Sequence, residues 1–369
     1  MLDWKNRYPI GIDIDHQNIY AVQLKKTRQG FAVRDLVHQE LETEAEDVPG
    51  AGPSLVSTVK KIKKGKRFRG KRVVLHIPDR NISVIPIRFE KGRTETPEDA
   101  IVRESEKHLS FPVRDAVIDY LSMIPDPSGK ANAFRATVIA APRDLIARYL
   151  ELMKQSGLTV EAVDFRVASL IRLHNHLFGE IRNPAILCNI GGIQSLLSIV
   201  TENNILAHRT VTWRLASLYE KIFANLEMVS RKENAVLLLK THGLAHEDRD
   251  DASDGGDRDS DDSMEEMRRA IYQIVAPYID ELVYEFHKII SYVRSEAQHP
   301  VFEGIYMYGH AALIRNLDRY FENRLGIPAS SINPLEKVAL SDNGILSRMS
   351  EGAPFALALG LAMRKVTWL

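Results

Sequence analysis

Two stretches of this chain, Tyr8–Leu24 and Ala185–Val200, follow the same plan: an apolar β-branched strand, a tight turn, and a second strand coming back. Such a device, repeated far along one chain and followed each time by more strands and helices, constrains the fold more than any local propensity. It implies an α/β protein of two related halves. In the first half Tyr8–Ile14 is apolar, Asp15–Asn18 is polar and Ile19–Lys25 resumes alternation, with a third strand near Gly30–Val37. In the second, Ala185–Ile190 reads as a buried strand, Gly191–Ile193 as the turn, and Ser195–Val200 and Ile205–Val211 as the strands that follow. At 369 residues the chain is long enough for more than one core.

Between the halves, Ser54–Lys64 has helical spacing and leads into the basic run KKIKKGKRFRGKR, which ends at Arg72; Val73–Pro78 then reads as a buried strand. Strand Ile82–Phe89, a helix opened by Pro97 and Glu98 and carried by Ala100–Leu109, strands Ala116–Ile124 and Arg135–Ala141, and helix Pro142–Ser156 make a small α+β module. Strand Thr159–Phe165 closes this module, and the chain then enters helix Val167–Phe178. After the second set of strands come helix Leu215–Leu239, an acidic Ser/Gly-rich stretch, an amphipathic helix Met264–Val293, strand Gly304–Tyr308, and helices Ala312–Asn323 and Ala353–Arg364.

Composition excludes several classes of function. Lys+Arg and Asp+Glu both total 49, so no global field recruits nucleic acid, and Phe68 alone in the basic run makes no base-stacking platform. The single cysteine, Cys188, cannot form an internal disulfide and fits a reducing compartment. The N-terminus carries charge where a signal peptide would be apolar, and PFALALGLAM is about half the ~20 residues a membrane helix needs. The expectation is a cytoplasmic protein, peripheral to a membrane through a partner.

Five pieces, in order, resemble the PilM family of type IV pilus assembly proteins within the actin-like superfamily. IGIDIDHQNIYAVQL, ILCNIGGIQSLLSIV and GIYMYGHAALIRNL follow the actin-like ATPase signature, while INPLEKV and PFALALGLAMR resemble the closing segments of PilM. EKHLSFPVRDAVIDY is similar to the helix-to-strand turn of that family's inserted subdomain. The resemblance implies a two-lobed actin-like (ribonuclease H-like) α/β fold with an FtsA-like α+β insertion. The expected layout places the first lobe at 1–80 and 161–183, the insertion at 81–160, and the second-lobe core at 184–214 and 301–369. A helical subdomain takes 215–300, with a disordered acidic loop at 245–264. It further implies a scaffold that binds the short cytoplasmic N-terminal tail of a PilN-like bitopic membrane protein. That tail would lie in the groove between first lobe and insertion, and the scaffold would connect it to a cytoplasmic motor ATPase. Self-association stays open.

The nucleotide motifs implied by the resemblance are degraded. Asp13, which in the family faces Mg²⁺, is kept, but Asp15, His16 and Gln17 stand where glycine and small hydroxyl residues belong. A carboxylate about 4 Å from a phosphate oxygen costs ~4 kcal/mol at a dielectric of 20, about a thousandfold in affinity if nothing compensates. Asn189 replaces the second-motif Asp, while Gly191 and Gly192 survive and Gln194 and Ser195 remain able to reach a phosphate. Gly309 and His310 stand where a glycine-rich adenosine loop belongs, and Lys240 survives without its partner Glu, among Val236, Leu237 and Leu238. The expectation is weak or lost binding of ATP and Mg²⁺ and no catalytic residues. The alternative is a working actin-like ATPase whose nucleotide state controls partner binding. Asp, Asn and His are also ordinary turn formers, which would make these motifs plain β-turns.

Other features have plain readings. The basic run suits a solvated helix end as well as acidic lipid or an acidic partner. The acidic stretch fails the calcium-loop register, since Ser253 and Gly255 follow Asp251. His174 and His176 lie two apart on a helix and point to different sides. A GspL-like secretion subunit, the nearest rival, predicts a membrane helix after the last strand, and none follows before Leu369.

Overall fold

The computed structural model describes residues 8–15, 17–28, 30–41, 48–65, 67–126, 130, 132–192, 194–202, 204–226, 232–244, 258–296, 300–341 and 351–364. They divide into two units, one of Met1–Ile181, Val200–Leu206 and Pro334–Leu369, the other of Arg182–Ile199 and Ala207–Asn333.

In the first unit the early alternation gives a meander of β1 (Ile10–Ile14), β2 (Asn18–Thr27) and β3 (Gly30–Glu40). Two further strands, β4 (Arg72–His76) and β8 (Thr159–Asp164), complete a sheet of order β3-β2-β1-β4-β8. β4 runs parallel to both β1 and β8, as strands joined through helical crossovers do. One apolar set, including Ile12, Val59, Leu75, Tyr149 and Met153, joins this sheet to α1 (Val48–Lys64) and α3 (Arg143–Gln155).

Two other helices of this unit are α4 (Arg166–Phe178) and α9 (Ala356–Ala362), and α9 is buried along its whole length. Its small residues let backbone meet backbone. A Cβ on Gly11 would stand 2.1 Å from the Ala358 carbonyl oxygen, and one on Gly360 would stand 2.1 Å from that of Ser169. Arg172 donates to the Gly360 carbonyl (2.7 Å), and the buried Asp164 carboxylate accepts from both Arg172 (2.9 Å) and Arg364 (2.8 Å). At the sheet's edge, Val33 donates to Ala339 (2.8 Å) and accepts from Ser341 (2.9 Å), which covers β3.

The insertion folds as an antiparallel sheet of order β5-β7-β6, formed by β5 (Ser83–Glu90), β6 (Ala116–Pro125) and β7 (Ala133–Pro142). α2 (Pro97–Ser105) starts at Thr96, whose hydroxyl accepts from the Asp99 amide, and packs Ala100 and Ile101 against Ile87, Phe89 and Val138.

The second sheet has the order β11-β10-β9-β12-β13, which repeats the order of the first by position in the chain. Its strands are β9 (Ala185–Ile190), β10 (Ser195–Thr201), β11 (Asn204–Val211), β12 (Gly304–Tyr308) and β13 (Ala329–Ser331). The second unit also holds α5 (Leu215–Asn225), α6 (Lys232–Thr241), α7 (Arg258–Glu296) and α8 (Leu317–Leu325). Of the stripe its periodicity predicts, α7 buries Ile271, Val275, Ile279, Leu282 and Phe286, while Ile274 and Tyr278 are only half-buried.

Three expectations are corrected. The helix expected over Leu215–Leu239 is two helices, α5 and α6. Ile222 and Ala235, both buried, would face nearly opposite sides of one continuous helix, so a break is needed to bury both. α7 begins at Arg258, upstream of Met264 and inside the expected acidic loop. Acidic composition, read as a sign of disorder, is also what a helix N-terminus favours; the rest of that loop, 245–257, lies outside the described residues. The helix expected over Ala312–Asn323 is a 3-10 turn, His310–Leu313, followed by α8. Asn316 divides them in the left-handed conformation (φ 63°) and donates its side-chain amide to the Leu244 carbonyl (3.1 Å).

Candidate functional site

β1 and β2 meet at a turn whose register brings Asp13 opposite Tyr20 and Ile14 opposite Ile19. The Asp15 amide donates to the Asn18 carbonyl (2.8 Å), and the Gln17 carbonyl accepts from Leu41 (2.8 Å). A backbone N–H that a phosphate cradle would offer outward is therefore used to close the turn. Asn18 is also linked through its side-chain oxygen to His38 (2.7 Å), whose ring stacks on Tyr20. His16 lies outside the described residues.

Asp13 is buried, and its Oδ1 is hydrogen-bonded to Nε2 of His76, a buried residue at the end of β4. The other ring nitrogen of His76 lies 3.1 Å from the Ile77 carbonyl, so both nitrogens face oxygen. Close by, Arg166 opens α4 from a buried position and reaches Asp79 at 3.5 Å. Burial works against its charge, but Asp79, then Asp13 and Asp15, outweigh it and hold the guanidinium above its ordinary pKa. The structure thus places Asp13 and Asp15 beside a buried group that also holds His76, Asp79 and Arg166, which the motif reading missed, while Gln17 is exposed on the turn. The overlooked signals were a histidine inside the apolar strand VVLHIP and an arginine between Phe165 and Val167, each requiring a partner once buried.

In the second unit Asn189 is the penultimate residue of β9 and Gly309 follows β12, strands whose register pairs Asn189 with Tyr308. Gly309 has φ +83°, and a Cβ there would lie 2.7 Å from the Asn189 side-chain oxygen. Only glycine fits. The Gly191 amide donates to the Gln194 carbonyl (3.3 Å), while the Gly191 and Gly192 carbonyls accept from Leu215 (3.4 Å) and Ala216 (3.2 Å). These glycines therefore satisfy amides at the start of α5, a structural role independent of any phosphate. His310 opens the 3-10 turn after Gly309. Lys240 lies on α6 beside Leu239, whose carbonyl accepts from the Arg315 amide (3.4 Å) in the segment after that turn. Cys188 is buried in β9, and burial pushes its thiol well above the usual range. Among the described residues no group of three or more His, Cys, Asp or Glu could hold a metal ion, and no helix is long and apolar enough to cross a membrane.

The profile of the family described as "Type IV pilus assembly protein PilM" matches residues 11–245 and 263–366. The chain belongs to the PilM family. The solved structure of a PilM-PilN type IV pilus biogenesis complex has a chain similar to this PilM-family protein, with a TM-score of 0.75 and 21% identity over 96% of this chain and 98% of that one. The ethanolamine utilization protein EutJ from Carboxydothermus hydrogenoformans is also similar, with a TM-score of 0.51 and 12% identity over 96% of this chain and 89% of that one. At these identities the likeness establishes the actin-like α/β fold of this PilM-family chain.

Proposed function

We propose that this protein is a non-catalytic adaptor of a type IV pilus-type assembly complex, whose binding of nucleotide is weak or lost. The observation that carries the reading is the buried link between Asp13 and His76. In an actin-like ATPase the carboxylate at this place would face magnesium-bound water. Here one of its oxygens is engaged by a side chain of the same sheet, and the turn beside it carries Asp15 and spends its amide internally. The residues present do not fit a magnesium-nucleotide complex, and no chemical step is assigned to one.

By analogy with the PilM-PilN complex, the partner is the short cytoplasmic N-terminal tail of a PilN-like membrane protein, which would hold the adaptor at the cytoplasmic face of the inner membrane. The proposed seat is the groove between the first sheet and the insertion, entered by strand addition. β6 supports that mode, being an edge strand that exposes Val117, Leu121 and Ile124. Contact with a cytoplasmic motor ATPase belongs to the same reading. Two titrations test it: fluorescence anisotropy with a synthetic cytoplasmic tail peptide of a PilN-like protein, and calorimetry with Mg-ATP. Saturable peptide binding without micromolar nucleotide binding is expected. Micromolar Mg-ATP binding with phosphate release, and no peptide binding, would reverse the assignment in favour of an ATPase.

A further inference from the structure

The basic run that joins α1 to β4 is anchored at several of its described residues. Lys63 Nζ donates to the Gly157 carbonyl (2.7 Å), and Phe68 packs against the core beneath the first sheet. The buried side chain of Gln23 grips Arg69 from both sides, accepting from its amide (2.8 Å) and donating to its carbonyl (2.8 Å). Farther on, the Lys71 carbonyl accepts from the Thr159 amide (2.8 Å).

What this anchored segment presents is charge. Lys64, Arg67, Arg69 and Lys71 are all exposed, and so are Lys26 and Arg28 where β2 runs on beyond the start of β1. Gln23, which holds Arg69, pairs with Ile10 at the beginning of β1, so both groups lie toward the same end of the sheet. Among the described residues none of these six cations forms an ion pair, whereas Arg72, one residue farther on, is paired with Glu161 at 2.9 Å. Holding like charges near one another, with no counter-charge among the described residues, raises the energy of the free protein, and an external anionic surface would relieve it.

We infer that this end of the first sheet docks directly on an anionic phospholipid surface, independently of any protein tether. The cations come from a hairpin, a helix end and a loop rather than converging on one acceptor. Lipid headgroups can diffuse to meet such an array, whereas a folded acidic partner would need matched carboxylates. Nucleic acid is disfavoured because Phe68, the aromatic residue of the run, is half-buried against the core. The inference does not depend on tail binding, so either can fail alone.

The test is flotation of the purified full-length protein with phosphatidylglycerol/phosphatidylcholine vesicles, compared with phosphatidylcholine alone. Only the anionic vesicles should carry the protein. Binding should vanish at high salt, because the screening length falls from about 10 Å at 0.1 M to about 3 Å at 1 M. Each basic residue near such a surface contributes about fivefold in partitioning, so Lys64→Glu/Arg67→Glu/Arg69→Glu/Lys71→Glu should lose on the order of a hundredfold or more. Lys107→Glu/Arg114→Glu, which reverses charge on the insertion, should float like wild type. If the fourfold variant does not keep the wild-type melting curve, Arg67→Gln/Lys71→Gln serves instead, with an expected loss of at least about tenfold. Equal flotation of wild type and patch variants overturns the inference. So does binding to polyglutamate or duplex DNA without flotation, which would assign the patch to a polyanionic macromolecule.

Discussion

His76 at the end of β4 is hydrogen-bonded through Nε2 to Oδ1 of Asp13 on the neighbouring strand β1, and both side chains are buried. The pair makes the Asp13 carboxylate a link between two strands. Its removal should therefore be read first in folding. His76→Ala leaves a buried carboxylate without this partner and should destabilise the protein by about 3–5 kcal/mol in urea titration. Asp13→Ala/His76→Ala should recover part of that loss, because no uncompensated charge remains. A single variant as stable as wild type would show that the link contributes little.

Nucleotide affinity should respond at the neighbouring turn. The bare repulsion between Asp15 and a phosphate is ~4 kcal/mol, or about a thousandfold. Arg166, buried among Asp79, Asp13 and Asp15, offsets part of it. Asp15→Gly should therefore tighten Mg-ATP binding by no more than about a hundredfold, measured by calorimetry. A gain of the full thousandfold would mean that Arg166 does not compensate.

Backbone packing predicts a contrast between two glycines. The Cβ of Gly11→Ala would meet the Ala358 oxygen at 2.1 Å and the Ala362 nitrogen at 2.4 Å, and neither atom belongs to a side chain that can swing away. The variant should lose about 3 kcal/mol or fail to fold. Gly192→Ala, with nothing within 4 Å of the added methyl, should stay within about 0.5 kcal/mol of wild type by thermal unfolding.

Acid should act through His174. Its burial on α4 holds the imidazole down at about 4, against an ordinary 6.5. The unfolded chain then takes up a proton before the folded one. Stability should be intact above about pH 6.5, fall between 6.5 and 4, and level off below, with a total loss of about 3 kcal/mol at most. His174→Leu should flatten that slope in urea titrations run at neutral and acidic pH. An unchanged slope would assign the acid sensitivity to other groups.

The strands were legible because their alternation and apolar runs survive without tertiary help: β1, β2, β9 and β12 fall where those patterns place them. The insertion's strand–helix–strand–strand order was legible for the same reason, down to Pro97 at the start of α2, whereas α3, expected within the insertion, packs with the first sheet. The chemistry of the turn was only half legible. Asp15 in place of glycine is visible in the letters, but His76 reaches Asp13 only because β4 lies beside β1, a pairing no local pattern states. Gly191 and Gly192 likewise read as a turn, while their service to α5 depends on where residues Leu215 and Ala216 return. The break between α5 and α6 escaped the periodicity because each half is separately amphipathic. A window that averages over both does not register the change of face.

The fit of α9 against Gly11 has a consequence for biosynthesis. The residues that cover β1 come far later in the chain than β1 itself, so a nascent chain emerging from the ribosome carries Ile10–Ile14 without that cover until they too have been made. Contacts between such distant segments form late and slowly, and strands left bare in the meantime are prone to association. The first unit should therefore gain protease resistance only after residues 356–362 have cleared the exit tunnel, later than the second unit, which is completed by Asn333.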